Sequence, residues 1–327
     1  MGNEKGWKFV LFLAGIAVLA MWCHPGFAAE KYPLKPIQMI LPWGPGSGAD
    51  LGSRVVAEKM PEFLGQPMVS VFKPGGVGTL ASAFVAGSKP DGYTVLVGSD
   101  TAVVIQPVTK KGLAYNLESF NYVGGYSKAP SHFTVRSQAP WKSLPEFVSD
   151  AKKNPKKFKV GIPGVLTTTH VAWELFCQKA GIQTVSIPYL SSGETLTALL
   201  GGDVDVAATS GVGGMSQAGT LKMLAVAEKE RLHYLPQIPT LYELGYPIEL
   251  NASYSFCVPK GTPKEILDVL YKAQEKAFNK YGNEIKEKLA RVEQLPFFIS
   301  GDEYYRMMKE REKIFSDIAK ALNVIPK

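Results

Sequence analysis

The stretch from Ile37 to Asp50 constrains this chain more than any other. Ile37, Met39, Ile40 and Leu41 form an apolar run of the length of a buried strand. Pro42, Gly44, Pro45, Gly46 and Gly48 follow within seven residues, a composition that ends a strand. Beyond Asp50, Val56, Met60 and Leu64 recur at helical spacing. The order is therefore strand, glycine-rich turn, helix N-terminus. Such a junction gathers unpaired backbone N–H groups and the positive end of a helix dipole at one point, which favours an anion. The expectation is that this loop holds a carboxylate.

The pattern then repeats. Met68–Phe72 is a strand, Lys73–Thr79 a second glycine-rich turn, and Leu80 opens a helix. After a turn at Pro90–Tyr93 comes the strand Thr94–Val97, closed by Gly98, Ser99, Asp100 and Thr101. Alternating strands and helices predict a mainly parallel α/β sheet, with ligands beyond the carboxyl ends of the strands. One glycine loop can be a tight connection and nothing more; two at equivalent positions favour a site.

Phe120 to Val135 reads as a crossing segment into a second α/β unit. There Ser143 and Glu146 have the spacing of a capping box. Strands at Phe158–Gly161, Thr184–Tyr189, Val204–Ala207 and Met223–Val226 alternate with helices at His170–Lys179 and Glu194–Leu200. The loops after these strands again carry small hydroxyls: Thr167, Thr168, Thr169, Ser191 and Ser192. Leu250–Val258 reads as a second crossing. Thr262 and Glu265 form another capping pair, with Pro263 at the first helical position. Pro296–Ile299 is a strand, and Ser300 with Glu303 caps a last helix whose face carries Met308, Phe315, Ile318 and Leu322. Two lobes joined by two crossings close like a clamp.

The N-terminus has a different character. Lys5 and Lys8 precede an apolar run from Phe9 to Trp22, and Gly26-Phe27-Ala28 offers small residues to a signal peptidase. The expectation is export, with cleavage near Ala28; a retained anchor ranks behind it. Removing two Lys and one Glu with residues 1–28 lowers the formal charge from +7 to +6. No Lys/Arg block with interleaved aromatics accompanies that charge, so nucleic acid is not an expected partner. Cys177 and Cys257 sit in apolar contexts and read as two buried, unpaired thiols, with a disulfide as the alternative. An exported α/β hydrolase is the competing function, but Gly-x-Ser-x-Gly and His-Glu-x-x-His are missing, and beyond the expected signal segment no cysteine stands near a histidine in sequence. Gly44-x-Gly46-x-Gly48 also lacks the spacing of a dinucleotide fingerprint.

Taken together, these motifs resemble the extracytoplasmic solute receptors of tripartite tricarboxylate transporters, the Bug family. Tyr32-Pro33-Leu34-Lys35-Pro36 is similar to that family's opening, and Pro42 to Asp50 to its signature Pro-Phe-x-Pro-Gly-Gly-x-x-Asp. Lys73–Gly78 falls on its Arg-Pro-Gly-x-Gly-Gly loop, Pro90–Thr94 on Pro-Asp-Gly-Tyr-Thr, and Gly164–His170 on Gly-x-Gly-Thr-x-x-His. Pro188-Tyr189, Leu199–Asp205 and Leu235–Gly245 continue the match in order. Departures cluster at the expected cleft. Ser47, Val77 and Leu166 replace glycines, Trp43 replaces Phe, and Leu190-Ser191 stands where Lys-Gly is common. Trp43, Leu166 and Leu190 suggest a more apolar pocket that tolerates aromatic acids.

The resemblance implies a type II periplasmic-binding-protein fold: residues 1–28 a signal peptide, 29–131 with 253–327 one lobe, 132–252 the other. It implies a receptor that captures a di-, tri- or aromatic carboxylate between the lobes, without catalysis and with no cofactor or metal. The partners are the large and small membrane subunits of a transporter, and the mature protein is expected as a soluble monomer in the periplasm or at the cell exterior. The expected ligand-binding residues are Trp43, Gly44, Pro45, Gly46, Ser47, Gly48, Ala49, Asp50, Gly78, Thr79, Ser99, Thr101, Thr167, Thr168, His170, Ser191, Ser192 and Asp205. Among them, Asp50 also reads as a helix cap, His170 as a hydrogen-bonding residue and Asp205 as a structural one.

Overall fold

The computed structural model describes residues 32–211 and 218–321. The expected signal peptide, cleavage site and Leu322 lie outside the described residues. The chain divides into two compact units, Met1–Leu34 and Lys35–Lys327. In the first, the Tyr32–Pro33 peptide is cis. Everything below concerns the second.

Two sheets organise that unit, and the strand runs of the sequence become their centres. β1 (Ile37–Leu41) pairs in parallel with β2 (Met68–Phe72) and β3 (Thr94–Ser99). Helices α1 (Gly48–Ala57) and α2 (Thr79–Ala86) follow β1 and β2. β4 (Phe120–Pro130) leads through Ser131 into β5 (His132–Arg136), the first strand of the second sheet. There α3 (Leu144–Lys153), β6 (Lys159–Ile162), α4 (Thr168–Ala180), β7 (Val185–Pro188), α5 (Ser192–Gly201), β8 (Val206–Thr209) and β9 (Leu221–Val226) follow. β10 (Asn251–Pro259) returns to the first sheet, and α6 (Lys264–Arg291), β11 (Leu295–Ser300) and α7 (Gly301–Ala321) complete it. The sheet orders are β11-β4-β10-β3-β1-β2 and β7-β6-β8-β5-β9.

Both sheets are mixed rather than mainly parallel. The returning strand β10 lies antiparallel between β3 and β4, and β5 lies antiparallel between β8 and β9. The crossings cause this: each brings the chain into its new sheet against the direction of the strands already there.

Two of the three expected caps differ in detail. Glu146 accepts a hydrogen bond from Lys142 N (2.7 Å), one residue further back than a capping box requires, and Ser143 makes no side-chain cap bond. Thr262 turns inward and donates to Pro259 O (2.7 Å), so Pro263 becomes the N-cap of α6. Ser300 and Glu303 do form the reciprocal pair, at 2.9 and 3.3 Å.

The second sheet buries an aromatic cluster in which Phe133 meets Trp173 edge-on at 4.8 Å and Phe176 at 5.2 Å. Burying each such ring contributes roughly 1.5–3 kcal/mol. In the first sheet Tyr126 lies 4.7 Å from Phe256. The loop after β3 is tied to the crossing strand by a buried polar set. Asp100 accepts from Ser253 N and Oγ (2.6 and 2.9 Å) and pairs with Arg311, which also donates to Asn251. Cys177 and Cys257 are buried, free thiols, as read from their apolar surroundings.

Candidate functional site

Three helix N-termini meet one cavity. At α1, Ser47 is the N-cap and its Oγ accepts from Asp50 N (3.3 Å). The Asp50 carboxylate in turn accepts from Gly46 N (2.9 Å) and pairs with Arg54. Gly46 sits at φ 78°, a left-handed turn that glycine adopts without strain. This arrangement satisfies the loop and leaves Gly48 N and Ala49 N without a partner among the described residues.

At α4, Thr167 Oγ1 accepts from His170 N (3.3 Å) and donates to Gly164 O (3.1 Å). Thr168 N donates to Thr101 Oγ1 (3.2 Å) across the two sheets, leaving Thr169 N free among the described residues. At α5, Ser191 Oγ accepts from Glu194 N (3.2 Å), and Glu194 accepts from Leu190 N (3.1 Å). Ser192 N and Gly193 N are left unpaired in the same way. A helix leaves its first N–H groups without internal partners, and each N-cap here satisfies only one of them.

The cleft between these ends opens to solvent and holds about 480 Å³ of space, open solvent included. Ser47, Ser99, Thr101, Thr167, Thr168, Thr169, Ser191, Ser192, Ser210 and Tyr254 contribute hydroxyls to its wall. Trp43 and Pro163 supply apolar surface, and among the described residues no Lys, Arg, His, Asp or Glu lines it. The two sides already touch: Thr101 Oγ1 lies 3.1 Å from Thr168 Oγ1, and Gln106 Nε2 donates to Leu166 O (3.2 Å). Among the described residues no cluster of His, Cys, Asp and Glu could hold a metal ion.

Ten of the expected residues meet here: Trp43, Ser47, Gly48, Ala49, Ser99, Thr101, Thr167, Thr168, Ser191 and Ser192. The others stand back. Pro45 and Gly46 are exposed on the loop, and Gly44 is half-buried beside them. Asp50 orders that loop from behind. Gly78 backs onto Trp43 and Pro42, and Thr79 donates to Gly76 O (3.0 Å). His170 accepts from Leu166 N at Nδ1 (2.9 Å) and faces Glu174 at Nε2 (3.3 Å), which holds the Glu174 carboxyl below its ordinary range. Asp205 accepts from Lys159 N (2.9 Å) at the amino end of β6, whereas the cavity is lined at the other end of that strand by Pro163. Leu190 is 82% exposed and Leu166 faces the protein, so of the three apolar substitutions only Trp43 reaches the cavity.

Pro163, Ser210, Ala252 and Tyr254 also line the cavity, and the expected set omitted them along with Thr169. Ala252 and Tyr254 lie on the crossing strand; a strand that passes between lobes also passes the cleft floor, and that was the available signal. Pro163 and Ser210 end β6 and β8, where the carboxyl-end rule applies.

A family profile described as "Tripartite tricarboxylate transporter family receptor" matches residues 53–324. The chain belongs to this receptor family. Among relatives of the receptor, the "UPF0065 protein in gbd 5'region" of Cupriavidus necator is 32% identical over 302 residues, covering 92% of this chain and 91% of that one. A solved structure described as a periplasmic transporter superposes with TM-score 0.85 at 28% identity, covering 90% of this chain and 99% of the other. MatC from Rhodopseudomonas palustris, with bound malate, gives TM-score 0.81 at 25% identity, covering 88% and 99%. The receptor thus has the two-lobed fold of periplasmic binding proteins. Its departures from the family motifs carry a backbone consequence. Val77 and Leu166 stand where the motifs have glycine, yet both adopt left-handed φ (61° and 57°). Such conformations cost a non-glycine residue about 1 kcal/mol or more, and here Val77 packs beside Gly164 in the loop that carries Leu166.

Proposed function

We propose that the receptor captures a small carboxylate between its lobes, holds it without turnover and hands it to the membrane subunits of a tripartite tricarboxylate transporter. The observation that carries this reading is the set of four cavity-lining residues whose N–H groups are unpaired among the described residues: Gly48, Ala49, Thr169 and Ser192. They belong to helices of 10, 13 and 10 residues aimed at one hydroxyl-lined cavity. Helix N-termini and hydroxyls stabilise a carboxylate without a cationic side chain. MatC, a relative with bound malate, supports the ligand class.

The lobes in this proposal are residues 29–131 with 253–327, and 132–252. Donors come from both, so a bound acid favours the closed state over the open one. Export to the periplasm with cleavage near Ala28 completes the proposal. No described helix is long and apolar enough to cross a membrane.

Thermal unfolding against mono-, di-, tri- and aromatic carboxylates tests the reading. An acid at one hundred times its dissociation constant adds about 2.7 kcal/mol. For a domain of this size that raises Tm by roughly 5 °C or more. No rise with any acid would reject the carboxylate reading. A rise confined to aromatic acids would assign Trp43 the decisive role.

A further inference from the structure

The floor of the cleft contains two hydroxyls that the protein does not use. Tyr254, on β10 of the first sheet, is 6% exposed; Ser210, after β8 of the second, is 8% exposed. Both line the cavity. Neither Tyr254 Oη nor Ser210 Oγ has a hydrogen-bond partner among the described residues. The Tyr254 ring is fixed by stacking on Tyr126 at 6.2 Å, so its hydroxyl is held in place rather than swung into solvent. Both face the cavity instead of a protein partner, and ligand subsites are where such unused hydroxyls are expected.

The two hydroxyls converge on the N-terminus of α1. A Cβ built on Gly48 would lie 3.1 Å from Tyr254 Oη and 3.7 Å from Ser210 Oγ. Gly48 N and Ala49 N are the donors assigned above to a carboxylate, and this inference rests on that reading. The missing side chain of Gly48 thus lets both hydroxyls come close to the helix end where its N–H is free. Burial holds the Tyr254 phenol above its ordinary pKa, so it remains a neutral donor.

We infer that Tyr254 and Ser210 form a second-oxygen subsite, one hydroxyl from each sheet, which selects carboxylic acids bearing a hydroxyl or oxo group on the carbon next to the bound carboxylate. An oxygen at that carbon is adjacent to the carboxylate, as the hydroxyl pair is adjacent to Gly48. A plain acid would leave both hydroxyls unpaired in the closed cleft, and that penalty is the source of discrimination.

Calorimetric binding of matched acids tests this: malate against succinate, and lactate against propionate. The wild-type protein is expected to bind the 2-hydroxy member at least about tenfold more tightly. Tyr254→Phe should weaken binding of the 2-hydroxy member several-fold more than that of the deoxy member, erasing most of the preference, and Ser210→Ala should reduce it. Gly48→Ala, which adds a Cβ beside both hydroxyls, should penalise the 2-hydroxy acid more than the plain one. Equal weakening of both members by Tyr254→Phe would place the phenol on the carboxylate itself and overturn the inference. Wild-type binding without preference would overturn it alone; no binding of any acid would overturn it together with the carboxylate reading.

Discussion

Gly52→Ala separates two opposing expectations at the helix that carries the first anion site. In the interior of an exposed helix, Ala is favoured over Gly by about 1 kcal/mol, so helix propensity alone predicts stabilisation. The tertiary structure predicts the reverse. A Cβ on Gly52 would lie 2.1 Å from Gln294 Oε1 and 2.8 Å from its Cδ, so Gln294 must move. Gln294 is 1% exposed, and both ends of its amide are engaged. Ser127 Oγ donates to Oε1 (2.7 Å), and Nε2 donates to Gly48 O (2.6 Å). Expelling the amide breaks two buried hydrogen bonds, each costing about 1–3 kcal/mol when its partner is left unsatisfied. Subtracting the helix gain leaves a net loss of about 1–5 kcal/mol. Urea and thermal unfolding of the purified receptor should show a Tm lowered by roughly 2–8 °C. Replacing Gln294 by Ala in the same chain removes the clash, so Gly52→Ala should then be neutral or stabilising. A single Gly52→Ala variant that melts at or above the parent would refute the argument. Gly48 lines the cavity directly above Gln294, so the single variant should also weaken acid binding.

Two further outcomes follow from buried ionisable groups. Burial raises the Glu228 carboxyl from 4.5 to about 7, partly offset by a hydrogen bond from Asn251 Nδ2 (3.0 Å). A raised folded-state pKa contributes stability that is complete below the unfolded value and disappears as pH rises through the folded one. Its contribution should therefore fall by about 3 kcal/mol between pH 4.5 and pH 8. Glu228→Gln should flatten that decline; equal pH dependence of Tm in variant and parent would contradict it. Cys177 and Cys257, both pushed up to about 12 by burial, should resist alkylation in the native state at pH 8 and react fully in denaturant. Peptide mapping that found either labelled in the native state would show that it is accessible.

How much was legible without the fold depended on whether a feature was local. The strand–loop–helix junction at Ile37–Ala57, the second glycine loop and the hydroxyl loop at Thr167–Thr169 declared themselves through composition and spacing. Their chemistry is written within a few consecutive residues: a strand end, a capping hydroxyl, a helix start. The Ser300–Glu303 capping box was readable for the same reason, whereas Thr262 was claimed by a carbonyl at the end of β10. Asp205 is among the expected ligand residues although its place in the strand Val204–Ala207 also reads as structural; the fold gives it the structural role, tying the start of β8 to the start of β6.

By itself, then, the sequence determined the two α/β units, the crossings and the places where helix N-termini would offer unpaired N–H groups. These follow from hydrophobic periodicity, turn chemistry and capping, which act over a handful of residues. Only the tertiary structure decided which of those ends face one another. It brought Thr101 against Thr168 and set Gln294 beneath Gly52, pairs 67 and 242 residues apart. It also carried Tyr254 and Ser210 to the same point over Gly48. Such meetings depend on the directions in which β4 and β10 cross and on how the sheets then pack, and no local pattern records either.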